Sequence, residues 1–431
     1  MAHDVRLRIT PLQALGLLLF MPPMALYILL KTCLLRLFVG KQRPMADDDK
    51  DAGRWDVVCV SHVHWRHIWQ RNHHTMVHLA RRSKVLYVNP IRLDAYVKHT
   101  LGQLLGCRRL RENLWHLEMF VLPFETKSWL FQRLNRFFVE TRIRYWMKRL
   151  GLRPIVLWLY FPAQRWLVGR LGERAVIYDI QDEYSQFPWA PRDTVAKEKQ
   201  LLAEADVVFA GTDALYERKR PLARNIHFFG CGVDFDYFHN LYHRDVPHDV
   251  RDLRGHVTLG YIGSIDERID RELLLYLVRE RPNWNLVMVG PVSHMQFEPF
   301  SAPNVVFTGA RPYELLPRYL ARLDVCLMPF AINEMTRHIN PTKALEYFAT
   351  GKPVVSTPIP DMEKYYSGVI YFAATPEEFL AQCEACLSQF PAERRERGLQ
   401  LARERSWESV VAAMREHIDQ AVAKRIGGMQ Q

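Results

Sequence analysis

Between Trp55 and Phe372 the chain alternates short apolar runs with stretches of helical periodicity, and this alternation constrains the fold more than any other feature. Strands buried on both faces read as continuous apolar runs, and strands separated by helices pair in parallel. Candidate strands are Asp56–Ser61, Lys84–Val88, Ile155–Leu159, Ala175–Ile180, Val207–Ala210 and His227–Gly230. After the polar, aperiodic segment Leu241–His256 a second series follows: Thr258–Ile262, Asn285–Val289, Val305–Thr308, Val325–Met328, Pro353–Ser356 and Val369–Phe372. A chain of 431 residues also exceeds what one core usually organises. The expected architecture is α/β, with two Rossmann-like domains at 51–245 and 246–406 and a C-terminal helix at about 407–425 returning to the first.

Residues 1–50 read differently. Leu12 to Leu30 contains nineteen residues with Gln13 as the only strongly polar one, about the length that crosses a bilayer. Pro22-Pro23 in its middle leaves both a kinked span and a re-entrant hairpin open. A cleaved signal peptide fits poorly: no small-x-small site follows, and Lys31, Arg36, Lys41 and Arg43 keep the downstream domains on the cytoplasmic side. Membrane attachment with the globular part facing the cytoplasm is therefore expected.

The balance of 58 Lys and Arg against 47 Asp and Glu favours an anionic partner without choosing among nucleotide, lipid headgroup and nucleic acid. From Arg81 to Leu150 fifteen basic residues face five acidic ones, interleaved with aromatics such as Trp115, Trp129, Phe138 and Trp146. That mixture suits an anionic membrane surface, or else a core with a solvated charged face. No nucleic-acid motif accompanies it, so a nucleic-acid partner is not expected. The seven cysteines form no disulfide framework. Cys383 and Cys386 fall on one face of an amphipathic helix with no second pair to complete a metal site.

The segment richest in chemistry is Asn340-Pro-Thr-Lys-Ala-Leu-Glu-Tyr-Phe-Ala-Thr-Gly351. Asn340 and Pro341 start a helix, and a helix start offers unpaired N–H groups to an anion. Lys343 can add a point charge toward a phosphate, and Glu346 on the same face can accept ribose hydroxyls. The competing reading is a capped helix with a surface ion pair.

This segment resembles the donor-site helix of the large retaining glycosyltransferase family with the GT-B fold. The resemblance implies that Glu346 binds the donor ribose, and that Asn340, Thr342 and Lys343 bind its diphosphate. Gly260-Tyr-Ile-Gly-Ser-Ile-Asp-Glu-Arg268 is similar to the family's first donor-domain strand and glycine loop, with Gly263 and Ser264 in the loop and Arg268 as a diphosphate ligand. The family order continues through Trp284–Pro291, Val305–Gly309 and Asp324–Pro329, and the likeness extends over roughly residues 55–420. His338 stands where many members carry a glutamate near the transferred sugar, and it either takes over that catalytic-site role or only caps a loop.

On the acceptor side, Asp182 follows the strand ending at Ile180 and orients an acceptor hydroxyl, stabilises positive charge developing on the sugar, or caps a turn. His64, Trp65 and Arg71, in the loop after the first strand, are candidates for acceptor contact. His62 and His64, or His73 and His74, lack a third ligand at convincing spacing, so neither metal nor other cofactor is expected. The resulting expectation is a metal-independent hexosyltransferase in exopolysaccharide or cell-envelope glycan synthesis. Its sugar comes from a nucleoside-diphosphate sugar and goes to a lipid-linked or polysaccharide acceptor at the cytoplasmic membrane face. The alternatives are a nucleotide-sugar epimerase or hydrolase, and a non-catalytic membrane-bound nucleotide-sugar sensor.

Overall fold

A computed structural model describes residues 54–66, 69–92, 106–121, 128–152, 154–187, 190–240, 246–251, 253, 257–293, 297–333, 336 and 343–429. The described residues divide into two compact units: those up to Gly230 together with those from Val411 onward, and Cys231–Val410.

The first unit is built on an eight-stranded sheet. Its strands are β1 (Asp56–Val60), β2 (Val85–Arg92), β3 (Cys107–Arg111), β4 (Leu114–Val121), β5 (Ile155–Leu159), β6 (Ala175–Ile180), β7 (Val207–Ala210) and β8 (Ile226–Phe228). Their order is β3-β4-β2-β1-β5-β6-β7-β8. All neighbours pair in parallel except β3 with β4. β1, β5 and β6 are buried along their whole length, which is why they read as unbroken apolar runs. One face packs Val58, Val60, Leu86, Val88, Leu117 and Met119 with Val139, Ile143 and Met147 of the helix Trp129–Leu150. Gly151, at φ 62°, ends that helix in the left-handed conformation that glycine adopts without strain.

The hairpin β3–β4 was not anticipated. Its turn uses Asn113 at φ 56°, and Leu117, Met119 and Val121 alternate with His116 and Glu118 across the sheet. The basic, aromatic stretch thus becomes a hairpin and a helix, with Phe138 in the core and Trp129 73% exposed. The C-terminal helix Trp407–Met429 buries Met414, Ile418 and Val422. Within the first unit, Trp55 Nε1 donates to Asp419 Oδ1 at 2.5 Å, and the Arg415 guanidinium lies over the Trp55 ring at 4.1 Å.

The second unit holds β9 (Val257–Ile262), β10 (Trp284–Val289), β11 (Val305–Gly309), β12 (Val325–Met328), β13 (Val354–Ser356) and β14 (Tyr371–Phe372). The order is β11-β10-β9-β12-β13-β14, all parallel. The chain begins in the middle of the sheet, works outward to one edge and then crosses to the other. Such an order places a topological switch point between β9 and β12. The division between units falls at Gly230/Cys231, ahead of the polar 241–256 stretch, because Val233 pairs with Ser406 and Gly232 lies against Trp407.

No helix among the described residues is long and apolar enough to cross a membrane, and the Leu12–Leu30 run lies outside them. Cys383 and Cys386 sit in the second core, where burial pushes both thiols up, Cys386 to about 12.

Candidate functional site

The loops after β9 and β12 meet at the switch point of the second unit. Asp270 N–H donates to the Pro329 carbonyl at 2.8 Å, and Ala331 N–H donates to the Arg268 carbonyl at 2.8 Å. Gly263 follows β9 directly and donates its N–H to Val289 at 2.9 Å. A Cβ there would press into the Tyr261 phenol, and one on Gly290, at φ 148°, would press into the Gly263 carbonyl. Gly290 therefore needs glycine, whereas at Gly263 a side chain would have to push the Tyr261 ring aside. Ser264 accepts the Tyr261 hydroxyl at 3.2 Å through its carbonyl.

Arg268 is set by a second residue of its own loop. Its Nε and Nη2 donate to the two oxygens of Asp266 at 2.7 and 2.6 Å. Asp266 is buried, while the Arg268 side chain keeps 28% of its surface exposed. The hydrogen bonds to Asp266 push the guanidinium further up, so Arg268 is a fixed cation at the mouth of the switch point.

The helix Lys343–Ala349 supplies the second cation and a carboxylate. Lys343 Nζ donates to both oxygens of Glu346 at 2.9 Å. The Glu346 side chain is 9% exposed and that of Lys343 25%, so this is a half-buried pair and not the surface pair of the competing sequence reading. The next residue, Tyr347, is fully buried and accepts the Ile262 N–H on its phenol oxygen at 2.8 Å, which ties the helix to the last residue of β9. Tyr313 and Asp234 complete this corner. The Tyr313 hydroxyl donates to Asp234 Oδ2 at 3.2 Å, and burial, with the charges of Glu346 and Asp234, raises its pKa. Asn340, Thr342 and His338 lie outside the described residues.

The first unit places its candidates in different environments. Arg71 is buried, with Nε donating to Asp179 Oδ1 at 3.1 Å and Nη1 to the Gly230 carbonyl at 2.8 Å. Burial raises the Asp179 carboxyl and Arg71 opposes it. The pair joins β6 to the chain after β8, so Arg71 stands inside the unit and not at a surface where an acceptor could touch it. Asp182 is exposed just beyond β6.

His64 and Trp65 lie half-buried in a loop held by β2. Asn89 donates to the Ser61 and Val63 carbonyls at 2.8 Å and accepts the Trp65 N–H at 3.2 Å. The Trp65 ring meets Tyr87 edge-on at 4.9 Å. His64 approaches Glu118 of β4, beside His116. Burial takes His116 down to about 3 and works to raise Glu118, but His64, His116 and Arg108 hold that carboxyl below its usual value. A separate cavity of about 240 Å³ opens at the C-terminal ends of β1 and β5, lined by Ser61, His62, Phe161, Trp166, Arg136 and Lys197 among others.

Residues 257–389, which contain Arg268, Lys343 and Glu346, match the family described as glycosyl transferases group 1. This is a GT-B glycosyltransferase. The glycosyltransferase is 27% identical over 366 residues to a Bacillus subtilis (strain 168) protein provisionally named a teichuronic acid biosynthesis glycosyltransferase, TuaH, covering 72% of this chain and 90% of the relative. Among solved structures it superposes on the E. coli trehalose-6-phosphate structure bound with UDP-2-fluoro glucose, with a TM-score of 0.62, 10% identity, and 85% and 99% of the two chains covered. It superposes likewise on Anabaena Alr3699/HepE in complex with UDP, with a TM-score of 0.58, 14% identity, and 85% and 100% covered. At those identities the superpositions show the fold.

Within the glycosyltransferase's second unit, the structure brings Gly263, Ser264 and Arg268 together in the β9 loop and pairs Lys343 with Glu346. Asp266, Asp234 and Tyr313 escaped the sequence reading. Asp266 lies inside the quoted loop two residues before Arg268, a spacing that allows a carboxylate to hold a guanidinium. Asp234 and Tyr313 are far apart in sequence and carry no local signal.

Proposed function

We propose that this glycosyltransferase takes its sugar from a nucleoside-diphosphate sugar and passes it, with retention at the anomeric carbon, to a glycan or lipid-linked acceptor in cell-envelope polysaccharide assembly. The observation that carries the donor reading is the half-buried Lys343–Glu346 pair, on a helix that Tyr347 ties to the Ile262 backbone at the end of β9. The free site is self-neutralised. When the donor enters, Lys343 exchanges its carboxylate for the diphosphate, and Glu346 becomes available to accept the ribose hydroxyls. Arg268, pre-set by Asp266, adds the second cation, so the negative charge that grows on the leaving diphosphate meets groups already in place. His338 serves the transferred sugar and Asp182 the acceptor hydroxyl.

The UDP and UDP-2-fluoro glucose bound in the superposed structures support a nucleotide-sugar donor, and the likeness to TuaH supports an envelope glycan product. Retention rests on the family resemblance. The apolar Leu12–Leu30 run and the basic residues after it support attachment to the cytoplasmic membrane with both units on the cytoplasmic side. A thermal-shift screen of the full chain against a panel of nucleotide sugars tests the reading, since a ligand that binds only the folded state raises Tm. A stabilising nucleotide sugar whose effect disappears in Glu346→Ala is the expected result. A panel without any stabilising member would remove the donor assignment.

A further inference from the structure

The loop after β1 sets His64 against two side chains of β4. His64 Nε2 stands 2.6 Å from Glu118 Oε1, and His116 Nδ1 stands 3.7 Å from the same oxygen. All three ligand atoms lie within 4.8 Å of one another. His116 and Glu118 are alternate residues of one strand and so project from the same face, and both are buried.

The orientation of His116 follows from its neighbours. Asn89 Nδ2 donates to two carbonyls, which makes Oδ1 the acceptor, and that oxygen lies 2.7 Å from His116 Nε2. Nε2 therefore carries the proton, and the lone pair on Nδ1 turns toward Glu118. Nδ1 is buried and has no hydrogen-bond partner among the described residues. An imidazole held through its far nitrogen by an amide oxygen, with its lone pair aimed at a carboxylate and a second imidazole, is how proteins orient a metal-binding histidine.

We propose that His64 Nε2, His116 Nδ1 and Glu118 bind a divalent metal of the zinc class and thereby clip the Ser61–Arg66 loop onto β4. Two imidazoles and one carboxylate suit zinc in preference to the all-oxygen sets of magnesium and calcium, and three protein ligands leave a fourth position for water. Around zinc, with bonds of about 2.0–2.2 Å, tetrahedral ligand atoms stand roughly 3.3 Å apart. The His64–Glu118 pair has to open and the His116–Glu118 pair to close, each by less than about 1 Å. In the metal-free arrangement His64 Nδ1 accepts the Arg66 N–H at 3.2 Å. Coordination moves the His64 ring proton from Nε2 to Nδ1 and gives up that bond, with no net change in protons. Arg108, 3.6 Å from Glu118 Oε2 and 41% exposed, has room to swing into solvent.

Local spacing around His64 shows no third ligand, because His116 and Glu118, which complete the set, come from a strand far along the chain. The set belongs to the first unit and does not depend on the donor reading.

The test is a Zn(II) titration of the metal-stripped full chain against a chromophoric chelator, repeated with His64→Ala, Glu118→Gln and the double variant Cys383→Ser/Cys386→Ser. The expected result is one tight equivalent of zinc in the parent and the cysteine variant, with binding at least a hundredfold weaker in the other two. Circular dichroism confirms that each variant folds, and His64, half-exposed in its loop, is the change least able to disturb folding. Substituting Co(II) should give the d–d bands of a nitrogen- and oxygen-ligated tetrahedral site without thiolate charge transfer. The proposal is overturned if the parent binds no zinc, or if folded His64→Ala binds it as tightly as the parent.

Discussion

The phenol oxygen of Tyr347 accepts the backbone N–H of Ile262 at 2.8 Å, in a place where both residues are buried. This bond fastens the helix carrying Lys343 and Glu346 to the last residue of β9, the strand from which the Gly263–Arg268 loop departs. Tyr347→Phe keeps the ring and removes the acceptor, leaving a buried N–H without a partner. A loss of about 1–3 kcal/mol in stability is expected from urea unfolding. Donor affinity should fall as well, because the helix and the loop lose their common anchor.

Removing Lys343 and removing Glu346 should have separable effects on donor binding. Lys343→Ala deletes a charge-assisted contact to phosphate, so affinity for the nucleotide sugar and for the free nucleoside diphosphate should drop together, by about tenfold to a hundredfold. Glu346→Ala should weaken binding through the nucleoside while inorganic diphosphate binds at least as tightly, since Lys343 is then released from its carboxylate. Calorimetric titration of each variant against the three ligands checks this, and unchanged affinity in both variants would sink the site assignment.

Arg71 and Asp179 form a buried pair, and breaking one side of it should damage the fold more than the chemistry. Asp179→Ala strands a guanidinium inside the first unit and should cost about 3–5 kcal/mol. Combining it with Arg71→Met should recover much of that loss, since a buried ion pair replaced by apolar residues is often near neutral. Denaturant midpoints of the two single variants and the double variant make the comparison. A double variant no more stable than Asp179→Ala would contradict it.

His227 of β8 stacks on His417 of the C-terminal helix with ring centroids 3.6 Å apart. Burial first, and then the charge of His417, lower the His227 pKa below its usual 6.5. A folded-state pKa below the unfolded one contributes stability that is present above the unfolded value and is lost as pH falls through the folded value. Thermal stability should therefore drop on acidification below pH 6.5, and His227→Asn should flatten that part of the profile. Differential scanning calorimetry across the range reads both effects.

Local pattern and tertiary contact contributed differently to what could be read from this chain. The strands of both sheets that lie at the centre were legible because burial on two faces leaves an unbroken apolar run, as in Val57–Val60 and Val325–Met328. The hairpin β3–β4 was not, because one face of β4 carries His116 and Glu118, and its polar half looks like surface until the Ser61–Arg66 loop is seen covering it. Lys343 and Glu346 were legible because one helical turn brings them together in any context. Their neighbours Asp234 and Tyr313 became visible only when the second unit closed around them.

By itself, then, the sequence determined the two doubly wound halves, the glycine loop after β9 and the cation–carboxylate pair on one helix. Periodicity, glycine and short spacing act over a few residues, where covalent geometry already dictates who meets whom. Only the tertiary structure decided that Arg71 turns inward to Asp179, that Asp266 sets Arg268, and that His64 faces His116 and Glu118. Those relationships depend on which strands lie side by side, and strand order follows from the packing of the whole unit.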